Sequence, residues 1–214
     1  MKRNSAAALP RGLYAITPDN LQARGLLDAA AEVLAGGARV LQYRAKHRDR
    51  STRLRDAKQL QSLCQRHGAC FIINDDVQLA AEVAADGVHL GEDDQGLAIA
   101  RRILGAESII GVSCYDSLAR AGEAQAAGAD YLAFGAFFPS VSKQTRRRAD
   151  LDTLRQAEGF GLPRVAIGGI RAENAGPLVA AGAHCVAVID ALWNAADRRV
   201  AAQNFARLFA SAAR

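Results

Sequence analysis

Gln42, Arg44 and Lys46 occupy alternate positions in Leu41-Gln42-Tyr43-Arg44-Ala45-Lys46, directly after an apolar run. Alternation along an extended chain puts all three on one side, so one amide and two cations face one ligand. Other apolar runs also end in polar residues: in Asn74-Asp75-Asp76, in His89 followed by Glu92-Asp93-Asp94, in Ser113, and in Phe138-Pro139-Ser140-Val141-Ser142-Lys143. A further run, Ala166-Ile167, leads into Gly168-Gly169 ahead of a helical stretch near Glu173. Gathered at one place, the carboxylates can hold Mg2+ between themselves and a polyphosphate, because this hard cation takes oxygen ligands and keeps substrate phosphates in its shell. Arg44, Lys46 and Lys143 neutralise the charge that remains. The glycine pair offers backbone N–H groups to a second phosphate. Two phosphate sites imply two phosphorylated substrates.

Each of these residues also has an architectural use. Asp75, Asp76 and Asp93-Asp94 could cap helices, and Ser113 could cap a helix beginning near Asp116. His89 could be a packed strand histidine, and Gly168-Gly169 only a tight turn. The choice depends on whether one scaffold brings them all to one rim.

The scaffold is legible as a recurring unit, in which an alanine-rich amphipathic stretch ends at Gly and passes directly into apolar residues. It recurs in Gly37-Ala38-Arg39-Val40-Leu41, Gly68-Ala69-Cys70-Phe71-Ile72-Ile73, Gly87-Val88-His89-Leu90, Gly128-Ala129-Asp130-Tyr131-Leu132 and Gly182-Ala183-His184-Cys185-Val186. Gly just past a helix end marks the turn from helix to strand. Apolar runs at 13–16, 108–112 and 164–167 complete eight short strands, with helices between them, for instance at 21–34, 51–66, 116–126 and 173–180. Strands apolar on both faces that alternate with helices indicate a parallel sheet covered by helices. Eight repeats in 214 residues predict an α/β fold, a single (β/α)8 TIM barrel, over a doubly wound sheet. Residues 1–10 read as an N-terminal tail and 11–214 as the catalytic barrel. A barrel builds its active site at the carboxyl ends of its strands, which is where all the polar residues above fall.

Composition removes several alternatives. Half the residues are hydrophobic and 23% are charged, which is globular and not disordered. The formal net charge of +5 concentrates in Arg44, Lys46, His47, Arg48 and Arg50 and in Lys143, Arg146, Arg147 and Arg148, the last three reading as a solvated basic face. Only 6% of residues are aromatic and none interleaves with these clusters, so nucleic acid is not the expected partner. No apolar run suits a membrane span or a secretory leader, and a cytoplasmic protein is expected. Cys64, Cys70, Cys114 and Cys185 form no Cys-x-x-Cys pair and read as buried free thiols.

In combination the motifs resemble those of the thiamine phosphate synthase, or thiamine-phosphate pyrophosphorylase, family. The resemblance runs from Gly12-Leu13-Tyr14-Ala15-Ile16-Thr17 to Val186-Ala187-Val188-Ile189, nearly the whole chain. It implies a barrel enzyme that joins a hydroxymethylpyrimidine pyrophosphate to a thiazole phosphate and releases pyrophosphate. It also implies a pyrimidine contact at Gln42 and pyrophosphate contacts at Arg44, Lys46, Asn74, Ser113 and Lys143. Arg44, Lys46, Ser113 and Lys143 carry the catalytic burden in that reading, and Asp75 and Asp94 match the magnesium positions. Ser140 and Ser142 stand where the family usually has threonines, keeping both hydroxyls. Gly169 matches a backbone contact to the thiazole phosphate, and Ala187 a further substrate-binding position. One residue departs from the pattern: Asp190 stands where the family commonly has Ser or another small residue, and is expected to turn outward as a helix cap.

The chemistry implied needs no nucleophilic side chain, so the lack of a Ser/His/Asp or Cys/His constellation agrees with it. The segment 138–148, polar and without apolar periodicity, is expected to close over the site. Small-molecule substrates are the expected partners, with no membrane and with homo-oligomerisation left open. The rival readings are a related barrel that isomerises a thiazole phosphate and a non-catalytic thiazole-phosphate-binding module. Neither needs the full Gln-x-Arg-x-Lys and paired-aspartate set.

Overall fold

The computed structural model describes residues 8–21, 23–92, 96–139 and 147–211. Eight strands, β1 (Gly12–Ile16), β2 (Val40–Tyr43), β3 (Cys70–Asn74), β4 (Gly87–Leu90), β5 (Ile109–Tyr115), β6 (Tyr131–Gly135), β7 (Arg164–Ile167) and β8 (Cys185–Val188), close into a barrel. Every neighbouring pair is parallel, and β1 pairs with both β2 and β8. The TIM barrel expected from the repeats is therefore observed.

Helices α1 (Ala23–Ala35), α2 (Arg50–His67), α3 (Val77–Glu82), α4 (Leu97–Leu104), α5 (Leu118–Ala126), α6 (Leu151–Gln156), α7 (Ala172–Ala180), α8 (Asp190–Trp193) and α9 (Arg198–Ser211) alternate with the strands. Helix α2 shows why the repeat was readable. Asp49 accepts from the Thr52 N–H at its start, and Gly68 at φ 63° closes its end, its N–H meeting the last carbonyls. Two residues later the chain is in β3.

Two hydrophobic clusters follow from strand alternation. Outward residues such as Leu41, Phe71, Ile73, Val88, Leu132 and Phe134 pack under the helices, while Tyr14, Val40, Cys70, Ile72, Ile109, Tyr131, Val165 and Cys185 fill the barrel. The packed chain extends back beyond the first strand. Leu9 is only 3% exposed and belongs to the interior cluster, its carbonyl hydrogen-bonded to the His184 Nε2 at 2.8 Å. Leu9 thus closes the amino-terminal end of the barrel. All four cysteines are buried free thiols, as expected.

Candidate active site

Midway up the barrel, inward positions of five strands carry polar side chains that bond to one another. Gln42 Nε2 donates to the Tyr14 hydroxyl at 2.8 Å, and the Tyr14 and Tyr131 hydroxyls lie 2.8 Å apart. The Tyr131 hydroxyl meets His89 Nδ1 at 2.9 Å, and His89 Nε2 meets Ser113 Oγ at 2.9 Å. The His89 ring stacks on Tyr131 with centroids 5.5 Å apart, and Tyr14 meets Tyr131 edge-on at 6.1 Å. Burial penalises the phenolate and raises both tyrosine pKa values, so both hydroxyls keep their protons. His89 is therefore neither an isolated packed histidine nor a solitary ligand: it joins Ser113 to the tyrosine pair.

Gly111 permits this arrangement. A Cβ there would fall 1.9 Å from Cζ of Tyr131, so only glycine leaves room for the ring. Further along β5 the pairing with β6 slips between Ser113 and Tyr115, a bulge at the strand's carboxyl end of the kind that re-aims side chains beside active sites. The helix cap considered for Ser113 falls instead to Ser117, which accepts from Arg120 N.

Above this layer, the β1 and β2 ends are tied together. Buried Thr17 accepts from the Arg44 N–H at 2.9 Å and donates to the Arg44 carbonyl at 3.1 Å. Asp19 accepts from the Arg44 guanidinium and from the Lys46 N–H, the latter at 3.1 Å. The Lys46 ammonium then reaches Asp75, 3.3 Å away. Arg44 and Lys46 are thus held at the rim over Gln42. Two other members of the basic cluster point elsewhere: Arg48 pairs with the buried Asp56 and Arg50 with Glu82.

The two adjacent aspartates divide their roles. Asp76 caps α3 by accepting from Leu79 N at 2.9 Å and pairs with Arg53 at 2.9 Å, the architectural use. Asp75 has a left-handed backbone at φ 63°, and its N–H bonds to the His89 carbonyl at 2.9 Å. Asn74 ends β3 beside His89 in the register. An oxygen-only carboxylate flanked by a lysine suits a hard divalent cation that shares its shell with substrate phosphate. Among the described residues no group of three or more His, Cys, Asp or Glu side chains gathers to form an all-protein cage.

Across the mouth, Gly168 and Gly169 both have positive φ, 108° and 62°. A Cβ on Gly169 would fall 2.3 Å from the Pro139 carbonyl oxygen, so the turn is tight against the β6 end and precedes α7. Ala187 is 3% exposed and lies in the barrel interior, paired with Tyr14 and Ile167. Asp190 is the first residue of α8, with Ile189 in the capping position, so the outward cap expected there is replaced by an acid in the first turn. Arg147, read as part of a solvated face, is exposed, and from there pairs with Glu92 at 2.9 Å and lies over the Tyr115 ring at 4.5 Å. Asp94, Ser140, Ser142 and Lys143, and with them most of the expected closing segment 138–148, lie outside the described residues.

Gln42, Arg44, Lys46, Asn74, Asp75 and Ser113 are brought to one end of the barrel, with Gly169 at the opposite side of the mouth. Sequence reasoning overlooked Tyr14, Tyr131, Thr17 and Asp19. Their signal was present: two tyrosines at inward strand positions, and a Thr-Pro-Asp segment directly after the first strand.

The thiamine monophosphate synthase family matches residues 13–192. A thiamine-phosphate synthase from Chromobacterium violaceum is 54% identical over 198 residues, covering 92% of this chain and 96% of that protein. One from Methylobacillus flagellatus is 51% identical over 209 residues, covering 98% of this chain and 100% of that protein. Among solved structures, thiamine phosphate pyrophosphorylase from Pyrococcus furiosus superposes with a TM-score of 0.85 at 36% identity, over 94% of this chain and 96% of the other.

Proposed function

Because the chain belongs to the thiamine monophosphate synthase family, we propose that it joins a hydroxymethylpyrimidine pyrophosphate to a hydroxyethylthiazole phosphate, giving thiamine phosphate and pyrophosphate. The observation that carries this reading is the placement of Arg44 and Lys46 just past the end of β2 that carries Gln42, Arg44 paired with Asp19 and Lys46 beside Asp75. That is one anion-binding mouth over one polar floor.

The reaction is a substitution at the methylene carbon of the pyrimidine. The carbon–oxygen bond breaks and the pyrophosphate leaves with the electron pair. The electron-rich aminopyrimidine ring shares the positive charge left on carbon, so dissociation precedes attack. The thiazole nitrogen then gives its lone pair to that carbon and becomes cationic. No proton needs to be abstracted. The protein stabilises the departing anion and holds the nucleophile close, which is electrostatic and proximity catalysis.

In this mechanism Arg44, Lys46, Asn74 and Ser113 hold the pyrophosphate, Lys143 joins them, and Gln42 holds the pyrimidine. Ser140, Ser142 and the turn at Gly169 serve the substrates, the last by offering backbone N–H groups to the thiazole phosphate. Ala187 forms part of the wall. Asp75 and Asp94 would hold Mg2+, which when bound would neutralise charge on the leaving pyrophosphate. Asp19 keeps Arg44 and the Lys46 backbone in place before substrate arrives. No described helix is long and apolar enough to cross a membrane.

The test is direct. The purified protein, given both phosphorylated substrates and magnesium, should form thiamine phosphate and pyrophosphate in equal amounts. Failure to form either with both substrates present would reject the assignment.

A further inference from the structure

The bonds among Gln42, Tyr14, Tyr131, His89 and Ser113 make one uninterrupted line across the barrel, with an amide at one end and an alcohol at the other. Each hydroxyl has one hydrogen, and a neutral imidazole has one ring N–H. Buried hydrogens that face each other, or buried lone pairs that do, are costly, so the line has two self-consistent arrangements. In the first, Gln42 N–H donates to Tyr14, Tyr14 to Tyr131, Tyr131 to His89 Nδ1, and His89 Nε2–H to Ser113. The Ser113 hydrogen is then left for an acceptor at the mouth, and Gln42 Oε1 for a donor there. In the second, every donor is reversed: Ser113 donates to His89, and Tyr14 donates to a Gln42 amide turned over to present its NH2 to the mouth.

We propose that this line couples the two ends of the pyrimidine substrate: an anion that accepts the Ser113 hydrogen selects the first arrangement, which turns Gln42 Oε1 to receive an amino N–H and disfavours a ring bearing a carbonyl oxygen in its place. The proposal rests on the reading of Ser113 as a pyrophosphate contact and Gln42 as the pyrimidine contact. Tyr14, Tyr131 and His89 are then positioning residues that touch neither reacting atom. They make discrimination between an aminopyrimidine and an oxopyrimidine depend on the pyrophosphate being bound.

Raised tyrosine pKa values support the hydrogen count, since both hydroxyls remain protonated. Geometry supplies the rest: each link in the line is 2.8 or 2.9 Å. Tyr131 cannot swing away from the line towards β5 without meeting Gly111, over which its ring is seated.

Two measurements test the coupling. In the wild-type protein labelled with 15N-histidine, inorganic pyrophosphate and magnesium should drive the His89 ring towards the tautomer with hydrogen on Nε2. In Tyr14→Phe, which cuts the line beside Gln42, the preference in kcat/KM for the aminopyrimidine pyrophosphate over its oxo analogue should fall by roughly tenfold or more, while the KM for the thiazole phosphate stays unchanged. Pyrophosphate that binds without changing the His89 tautomer overturns the coupling, as does a folded Tyr14→Phe protein with its preference intact. The wild-type measurement stands even if the variant does not fold. If inorganic pyrophosphate fails to bind and no thiamine phosphate forms, the reading of the site itself is lost and the coupling goes with it.

Discussion

The Lys46 ammonium lies 3.3 Å from the Asp75 carboxylate, bridging the ends of β2 and β3. Their side chains are 51% and 28% exposed, so water screens the pair and it contributes little to folding, about 0–1 kcal/mol. What the pair does is hold a cation and an oxygen ligand side by side where a pyrophosphate and its metal are proposed to sit.

Asp75→Asn should therefore separate activity from stability. Asparagine tolerates the left-handed backbone at φ 63°, so the turn survives. The magnesium concentration for half-maximal activity should rise by about tenfold or more, while the thermal midpoint moves little. A magnesium titration of the variant beside a thermal melt checks both. Normal turnover at low magnesium would remove Asp75 from the proposed metal site.

Lys46→Ala and Gly169→Ala should damage opposite ends of the mouth. Loss of a charge-assisted contact costs about 1.5–3 kcal/mol, so Lys46→Ala should lower kcat/KM for the pyrimidine pyrophosphate by roughly 10- to 100-fold and spare binding of the thiazole phosphate. Gly169→Ala puts a Cβ at φ 62° and 2.3 Å from a backbone oxygen, so the turn must move. Its main effect should be a raised KM for the thiazole phosphate. Titrating each ligand separately against both variants reads this out. Equal loss of both ligands in either variant would point to general disruption.

The barrel was legible because five of the strands are announced by a local mark, a Gly followed by an apolar run, and three further apolar runs between helical stretches complete the count of eight without any long-range knowledge. Helix α2, expected at 51–66, spans Arg50–His67. The rim positions were legible for a related reason: a barrel builds its active site at the carboxyl ends of its strands, so polar side chains directly after apolar runs fall together at one end. What stayed hidden depends on contacts across the barrel. Tyr14 and Tyr131 sit inside apolar strands and read as core, and only closure brings their hydroxyls together. Asp75 and Asp76 are chemically alike, and only the fold distinguishes Asp76, whose side chain caps α3, from Asp75, which has a left-handed backbone and lies beside Lys46. Arg147 is exposed, as read, but its partners Glu92 and Tyr115 come from elsewhere in the chain and could not be named from the sequence.

Gly111→Ala should act through Tyr131. The new methyl would fall 1.9 Å from Cζ of the ring, which must tilt and strain its bonds to Tyr14 and His89. Overpacking of this kind costs about 1–3 kcal/mol. If the clash with the ring is the cause, combining Gly111→Ala with Tyr131→Ala should cost less than the two single changes added together. Urea unfolding of the three variants tests this, and strict additivity would mean that the ring is not what glycine makes room for.

The buried thiols predict instability in alkali. Burial pushes Cys64, Cys114 and Cys185 up from the ordinary 9.0 to about 12, and Cys70 moves the same way. Below pH 9 the thiols are protonated in both folded and unfolded chains and add no pH dependence. Between pH 9 and about 12 the unfolded chain sheds these protons while the folded one retains them, so the unfolded state binds fewer protons and stability falls as pH rises. At pH 10 each thiol removes up to about 1.4 kcal/mol by this linkage. Urea midpoints at pH 8 and pH 10 should show a loss of at least about 2 kcal/mol, and Cys64→Ala should make that loss smaller whatever its own effect at pH 8. The same burial predicts that a thiol reagent labels the folded protein slowly and the urea-unfolded protein at all four cysteines. Rapid labelling of the folded chain at pH 8, or an unfolding midpoint that does not change between the two pH values, would show that these thiols ionise as freely inside the fold as outside it.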